Sequence, residues 1–209
     1  RMKKDTYVWH TIHEQNMRHR LTEALCGYHE KYPYRYGMKK AEIHMTYMKK
    51  VKLNVFDLYV EMLSEEGALK RHQEFLQLPE FEVRKDSVYE KVLKTVQKQF
   101  EKVQFDFQRF SEISFGNIKR EEVEDIMLLL IDEDIVVKIT EDIYTLKSII
   151  EKAKEVIQNR LKENPLITIA EVRDLLGTSR KSAKPILEYM DSIKVTKKNG
   201  TESERVAYV

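Results

Sequence analysis

The sequence of 209 residues contains a single cysteine, Cys26, and therefore has no second thiol with which to form an internal disulfide. A lone cysteine also excludes a cysteine-based zinc site, and it fits a reducing compartment, so we expect a cytoplasmic protein. No apolar run approaches the roughly 18 residues of a membrane span, and no signal-peptide pattern occurs. We therefore expect no membrane partner.

Glycine and proline are scarce, with 6 and 4 residues, which argues against long flexible linkers and low-complexity segments. Hydrophobic residues make up 42% of the chain and charged residues 34%, which is typical of a globular protein with a charge-rich surface. This composition predicts a mainly helical chain with short connections. The chain begins with RMKKDTYVW, and we expect it to be a fragment of a longer protein.

Patterns that carry catalysis or metal binding are missing. All six histidines lie within residues 10–72 and no HExxH motif occurs, so no metal site is expected. The acidic run at 132–134 lacks the glycine and the final glutamate of an EF-hand loop. No Ser/His/Asp arrangement or glycine-rich phosphate loop stands out. We expect a non-enzymatic chain that holds no cofactor of its own.

The net charge of +2 is unevenly distributed along the chain. Residues 1–85 carry a net charge of +4, residues 86–150 carry −5, and residues 151–209 carry +3. The acidic middle segment is a poor partner for phosphate, and we interpret it as a spacer, or as a surface that meets protein or the neighbouring module. The five basic residues Lys39, Lys40, Lys49, Lys50 and Lys52 in the first segment fit a solvated face, or a contact with ribosomal RNA or tRNA.

The last 60 residues or so contain two clear helix signals. Apolar residues with helical spacing predict an amphipathic helix over 151–162, which must end before Pro165. Thr168 and Glu171 have the spacing of a capping box and predict a short helix over 168–176. The second of these helices and the helix that follows it are the predicted helix-turn-helix pair, residues 168–190.

A third helix and a hairpin complete this segment. Gly177 is suited to the positive φ angle that ends the second helix, and Thr178 or Ser179 is predicted to cap a third helix that runs to about residue 190. The pair Asn199-Gly200 lies between two β-forming runs at 193–198 and 204–209, which predicts a hairpin. Helix, helix, turn, helix and hairpin together predict a winged helix.

The same order of elements occurs twice more. In the first part, helices are predicted at 10–33, 38–48 and 54–67 and a hairpin at 68–78; in the middle part, helices are predicted at 87–103, 107–113 and 119–134 and a hairpin at 135–148. The predicted fold class is mainly α with small β-hairpins, arranged as three tandem winged-helix modules. Their boundaries are 1–83 (preceded by a short strand), 84–149 and 150–209.

Two segments of the chain resemble one known family. NPLITIAEVRDLLGTSRKSAKPILEYMD (164–191) resembles the last winged helix of bacterial selenocysteine-specific translation elongation factors of the SelB type, including the proline after the small and basic residues. YHEKYPYRYGMKKAEI (28–43) resembles an earlier winged-helix segment of that family, and the two occur in the expected order. Ser182 and Lys184 depart from the family pattern, which often has an aromatic and an apolar residue there.

This resemblance implies a function in translation. The chain would be the C-terminal part of a GTPase, with GTP and magnesium bound by the upstream part, and its last module would bind an mRNA hairpin, the selenocysteine insertion element. Ribosome and selenocysteinyl-tRNA would be partners through the full-length protein, and the chain would act as a monomer. The tethered GTPase and its charged tRNA would thereby be concentrated at a recoded UGA codon.

Physical chemistry selects the residues that would contact RNA phosphates. A helix cannot enter the narrow major groove of an RNA stem, so the start of the third helix and the wing are the expected contact surfaces. The predicted RNA-binding residues are Arg173, Thr178, Ser179, Arg180, Lys181, Lys184, Lys197, Lys198 and Arg205. The alternatives are plain capping for the two hydroxyls, a solvated face for the cations, and pairing of Arg173 with Asp174 or Glu171.

Two other functions stay open on the residues alone. One is a DNA-binding regulator that places the third helix in a major groove, although Pro185 and the acidic middle module count against it. The other is an array of winged helices that docks only with proteins.

Overall fold

A computed structural model of the chain describes residues 10–208, so the short strand predicted before the first module lies outside the described residues. The chain divides into two compact units, with the division between Lys85 and Asp86. The chain is mainly helical and contains three small antiparallel sheets. This confirms the predicted fold class of tandem winged-helix modules. Within residues 10–208, no helix is long and apolar enough to span a bilayer.

The first unit is a winged helix with a three-stranded sheet. Its elements are α1 (Thr11–Lys31), β1 (Met38–Lys39), α2 (Lys40–Tyr47), α3 (Leu53–Glu65), β2 (Lys70–His72) and β3 (Phe75–Gln77). The three predicted helices and the hairpin are confirmed, but residues 38 and 39 form a strand rather than the start of a helix, since Met38 pairs with Leu76 in β3. The core of this unit includes Leu25, Ile43 and Phe56.

Two residues of the segment YHEKYPYRYG, His29 and Gly37, hold the first unit together. The N–H of Leu78 donates to His29 Nε2 at 3.2 Å, and the imidazole stacks on Phe81 with 3.6 Å between ring centroids. A Cβ atom on Gly37 would lie 2.1 Å from the carbonyl oxygen of Leu76, so only glycine lets β3 pass this close. His29 is buried, and this burial lowers the pKa of its imidazole.

The second unit contains the middle and last winged helices. Its elements are α4 (Ser87–Val103), a 3-10 turn (Phe110–Glu112), α5 (Arg120–Asp132), β4 (Val136–Thr140), β5 (Ile143–Leu146), α6 (Lys147–Glu163), β6 (Leu166–Thr168), α7 (Ile169–Leu176), α8 (Arg180–Ser192), β7 (Thr196–Asn199) and β8 (Thr201–Ala207). The helix predicted over 107–113 shrinks to that single turn. β6 was not predicted and completes a sheet of order β6-β8-β7.

A hydrophobic cluster of the last module includes residues of the middle module and joins the two. Val137 of β4 belongs to the same buried cluster as Ile157, Ile186 and Leu187 of the last module, and Phe105 packs against that cluster. No linker separates the two modules, since α6 begins at the residue that follows β5. Apolar burial of this kind is the dominant stabilising term in folding, so the two modules form one compact unit.

The local signals in the last module are confirmed. Thr168 Oγ1 accepts from the N–H of Glu171 at 3.2 Å, and the N–H of Thr168 donates to Glu171 Oε2 at 2.9 Å, which is the predicted capping box. Gly177 has φ of 59° and ends α7 in the left-handed conformation. The hairpin β7–β8 turns at Gly200, as the Asn-Gly pair predicts.

A buried ion pair fixes this wing to α8. Arg205 of β8 is 0% exposed, and its Nε donates to Asp191 Oδ2 at 2.7 Å, while Nη1 donates to the carbonyls of Glu202 and Glu204. Thr196 Oγ1 of β7 donates to the other carboxylate oxygen of Asp191 at 2.6 Å. The prediction that Arg205 offers positive charge on the wing surface is therefore wrong, because its guanidinium faces the interior.

Replacing Arg205 tests this structural role. We expect Arg205→Met to lower the free energy of unfolding of the second unit by about 3 kcal/mol, because it leaves Asp191 without its charged partner. Lys198→Met breaks the exposed pair with Glu202 and is the matched control, with an expected loss of at most about 0.5 kcal/mol. Urea denaturation of the full chain, followed by circular dichroism, measures both; equal midpoints for the two variants would contradict the assignment.

The buried imidazole of His29 predicts a pH-dependent stability for the first unit. Its lowered pKa means that the unfolded chain binds the proton more tightly, so the stabilising effect is complete above about pH 6.5 and is lost as the pH falls through the folded pKa. We expect His29→Gln to flatten this dependence in urea titrations between about pH 5 and 8. His19→Gln, at an exposed site on the same helix, is the control and keeps the wild-type slope.

Candidate nucleic-acid interface

The first turn of α8 begins without a side-chain cap. Ser179 occupies the N-cap position with extended backbone angles, but its hydroxyl makes no capping hydrogen bond. Its carbonyl accepts from the N–H groups of Ser182 and Ala183 at 3.1 and 2.9 Å. Within the described part of the chain, the N–H groups of Arg180 and Lys181 have no acceptor. The prediction that Thr178 or Ser179 caps α8 through its hydroxyl is therefore wrong.

The side chains of Arg180 and Lys181 add charge at the same place. Both residues are exposed, and among residues 10–208 neither has a carboxylate oxygen within 4.0 Å. Two free amides, two uncompensated cations and the positive end of the helix dipole therefore converge on one turn. An anion placed there gains charge-assisted hydrogen bonds without having to break an existing ion pair.

The chain segment between α4 and the 3-10 turn holds the start of α8 in place. Thr178 Oγ1 donates to the carbonyl of Phe105 at 2.6 Å, and the N–H of Phe107 donates to Ser182 Oγ at 2.9 Å. Ser182 Oγ also lies 3.4 Å from the carboxylate of Asp106. Ser182 is buried, and its small side chain lets the segment approach the helix this closely. The hydroxyl of Thr178, predicted to bind RNA, is thus engaged by the middle module.

Three other predicted cations have carboxylate partners. Arg173 pairs with Asp174 at 2.6 Å, Lys184 with Glu188 at 3.7 Å, and Lys198 with Glu202 at 2.6 Å. All three cations are exposed, and exposed pairs of this kind contribute little stability. Their availability to RNA stays a prediction, and each must exchange its present partner for a phosphate.

Lys197 differs from its neighbour in the wing. It is exposed, its Nζ lies 5.9 Å from the centroid of the Tyr208 ring, and no carboxylate oxygen of residues 10–208 lies within 4.0 Å of it. Alternation along β7 places it on the opposite face of the hairpin from Lys198 and the buried Arg205. It is the wing cation with the least internal competition for an anion.

Proline 185 lies inside α8, which continues without a break from Arg180 to Ser192. Proline has no N–H to donate to the carbonyl of Lys181, so the first turn is less tightly bonded than the turns that follow. Burial changes earlier than Pro185, because Ser182 and Ala183 are already buried while Lys184 is exposed. The first turn therefore has two residues, Arg180 and Lys181, whose side chains are exposed and whose N–H groups have no acceptor among residues 10–208.

Asp106 was not identified from the sequence. Its carboxylate lies 3.4 Å from the buried Ser182 hydroxyl, so a negative charge is already present near the first turn of α8. The residue is 76 positions away along the chain, and no local pattern indicates the contact. A phosphate bound by Arg180 and Lys181 must approach from the side that Asp106 leaves open.

Comparisons with known proteins give one consistent family. Two family models, both described as "Elongation factor SelB, winged helix", match residues 22–78 and 159–203. A selenocysteine-specific elongation factor from Desulfomicrobium baculatum is 24% identical over 185 residues, which cover 87% of this chain and 29% of that protein. The chain therefore spans less than a third of the length of this relative.

Solved structures of the same family share the fold. The mRNA-binding domain of elongation factor SelB from E. coli, in complex with SECIS RNA, matches with a TM-score of 0.50 and 19% identity, over 60% of this chain and 100% of that one. A bacterial selenocysteine-specific elongation factor matches with a TM-score of 0.53 and 18% identity, over 95% of this chain and 30% of that one. The two family models, the relative and the solved structures together support the C-terminal winged-helix region of an elongation factor of the SelB type.

Proposed function

We propose that the last module binds an mRNA hairpin, the selenocysteine insertion element. The observation that supports this most directly is the first turn of α8, where two free amides and the unpaired cations Arg180 and Lys181 lie together. A family relative was solved as a complex with SECIS RNA. Phosphate is the anion that an mRNA hairpin offers in abundance, and the site has the donors to bind it.

The shape of RNA decides how such a module is used. The deep, narrow major groove of an RNA stem excludes α8 itself, so the helix start and Lys197 of the wing contact the backbone. Arginine stacks well on an unpaired base, and the exposed Arg180 would do so in a loop or bulge. Phosphate contacts then set the register, and loop bases supply the sequence preference.

This winged-helix region, the arm, would hold the rest of the full-length protein close to the mRNA hairpin. Because a hydrophobic cluster joins the middle and last modules, the RNA site does not move on a flexible linker relative to the middle module. In the full-length protein, a GTPase that uses GTP and magnesium would thereby be concentrated with selenocysteinyl-tRNA at a recoded UGA codon on the ribosome. The arm itself is not an enzyme, acts as a monomer and works in the cytoplasm.

The direct test measures how tightly the full 209-residue chain binds three labelled probes. These are an insertion-element hairpin, a scrambled hairpin of the same length, and a duplex DNA of matched sequence. We expect the first to bind at least about tenfold more tightly than the other two at physiological salt. Preference for the DNA duplex would indicate a transcription regulator. No preference for the hairpin over its scrambled form would exclude recruitment by this element.

If the cations of the α8 turn bind phosphate, their removal weakens hairpin binding. We expect Arg180→Ala with Lys181→Ala to weaken hairpin binding by about 10- to 100-fold, and to reduce the slope of log K against log salt by about 1.5, because two phosphate contacts are lost. Lys49→Ala with Lys50→Ala removes the same charge from the first unit and is expected to leave the affinity within about threefold. Fluorescence anisotropy over a salt series measures both variants. Equal slopes of log K against log salt for the two variants would show that the α8 turn does not bind the phosphates of the hairpin.

A further inference from the structure

Nine of the 14 acidic residues of the middle segment, residues 86–150, lie in one part of it. The acidic residues cluster on α5 and around the β4–β5 hairpin, at Glu121, Glu122, Glu124, Asp125, Asp132, Glu133, Asp134, Glu141 and Asp142. Helix α4 instead carries four lysines and two glutamates. The net charge of −5 therefore does not describe α4, whose surface is basic.

Three of these lysines lie on one face of α4. Lys91, Lys94 and Lys98 follow the spacing of three and four residues that aligns side chains along a helix, and with Ser87 and Thr95 they line a groove of about 510 Å³. The row covers about 10 Å of helix, at 1.5 Å per residue.

The ammonium groups of this row are poorly compensated. Lys94 has Glu90 at 3.9 Å, which is the one carboxylate that lines the groove, while Lys91 and Lys98 have no carboxylate oxygen within 4.0 Å among residues 10–208. Like charges three and four residues apart destabilise a helix. The Lys91 Nζ also lies close to Gly116, 3.6 Å from where a Cβ of that residue would be. The loop at Gly116 thus bounds one end of the row.

We infer that the α4 groove, lined by Lys91, Lys94 and Lys98, is a second nucleic-acid surface that binds the phosphate backbone of duplex RNA. A row of cations with little opposing charge suits a regularly spaced polyanion. The groove has no aromatic or large aliphatic side chain to anchor a protein, whereas protein interfaces depend on such anchors at their centre. We expect this surface to bind duplex RNA of any sequence, because contacts with the phosphate backbone do not distinguish the bases.

This surface does not depend on the hairpin site of the last module. The two lie on different helices, and a plain duplex has none of the loop bases that the α8 turn would read. In binding to a fully paired RNA duplex of about 20 base pairs, the loss caused by the α4 variant measures the share of α4, while the preference for the hairpin over its scrambled form reports on α8. If the duplex RNA proposal fails, the hairpin proposal can still be tested, and the reverse also holds.

The experiment compares two triple variants of the full chain. We expect Lys91→Gln, Lys94→Gln and Lys98→Gln together to weaken duplex RNA binding by about 10- to 100-fold at 0.1 M salt and to reduce the salt slope by about 2. Glutamine keeps the helix propensity of lysine, and circular dichroism verifies the fold. Lys49→Gln, Lys50→Gln and Lys52→Gln remove the same charge elsewhere and are expected to change the affinity by no more than about threefold.

Two outcomes would overturn the inference. The first is an equal loss, or no loss, in both triple variants, since the effect would then depend on total charge or not exist at all. The second comes from labelled polyglutamate as a competing probe. Tighter binding of polyglutamate than of duplex RNA, abolished by the α4 variant, would mean that the groove serves an acidic protein.

Discussion

The contact between the 105–107 segment and the first turn of α8 is the constraint on which the site depends. Thr178 and Ser182 face inward and bond to the backbone of that segment, so the residues between them in the turn, Arg180 and Lys181, face outward. The middle module thus positions the binding turn of the last one. A helix start fixed in this way presents its amides in one direction, which lowers the ordering cost when an anion binds.

The unbound protein tolerates an unfavourable arrangement at this turn. Cations in the first turn oppose the helix dipole, at a cost of roughly 0.3–1 kcal/mol each, and a missing side-chain cap costs about 1 kcal/mol more. Elsewhere in the last module, Arg173, Lys184 and Lys198 have carboxylate partners. Of the cations predicted to bind RNA, Arg180, Lys181 and Lys197 are the ones without a carboxylate partner among residues 10–208, and a phosphate bound at the α8 turn reverses the sign of the unfavourable interaction there.

Features that depend on nearby residues could be predicted from the sequence. The capping box of Thr168 and Glu171, the left-handed Gly177 and the Asn-Gly hairpin all involve positions within a few residues of each other, where spacing determines the contact. Features that join distant residues could not. The burial of Arg205 requires Asp191 from another element, and Thr178 meets a carbonyl 73 residues away. The two-residue strand β1 becomes visible only through its pairing with β3, because two residues show no periodicity.

Charge summed over a module is a poor guide to what that module binds. The middle module has excess acid, yet its α4 presents lysines in a row and most of its acidic residues lie on other elements. Since α4 and α8 belong to one compact unit whose modules are joined by a hydrophobic cluster, their positive surfaces keep a fixed separation. An RNA that contacts both makes the second contact at a high effective concentration, and it gains affinity only if its stem matches that separation. Rigid coupling of the two modules therefore makes the spacing between RNA features, as well as their sequence, a determinant of recognition.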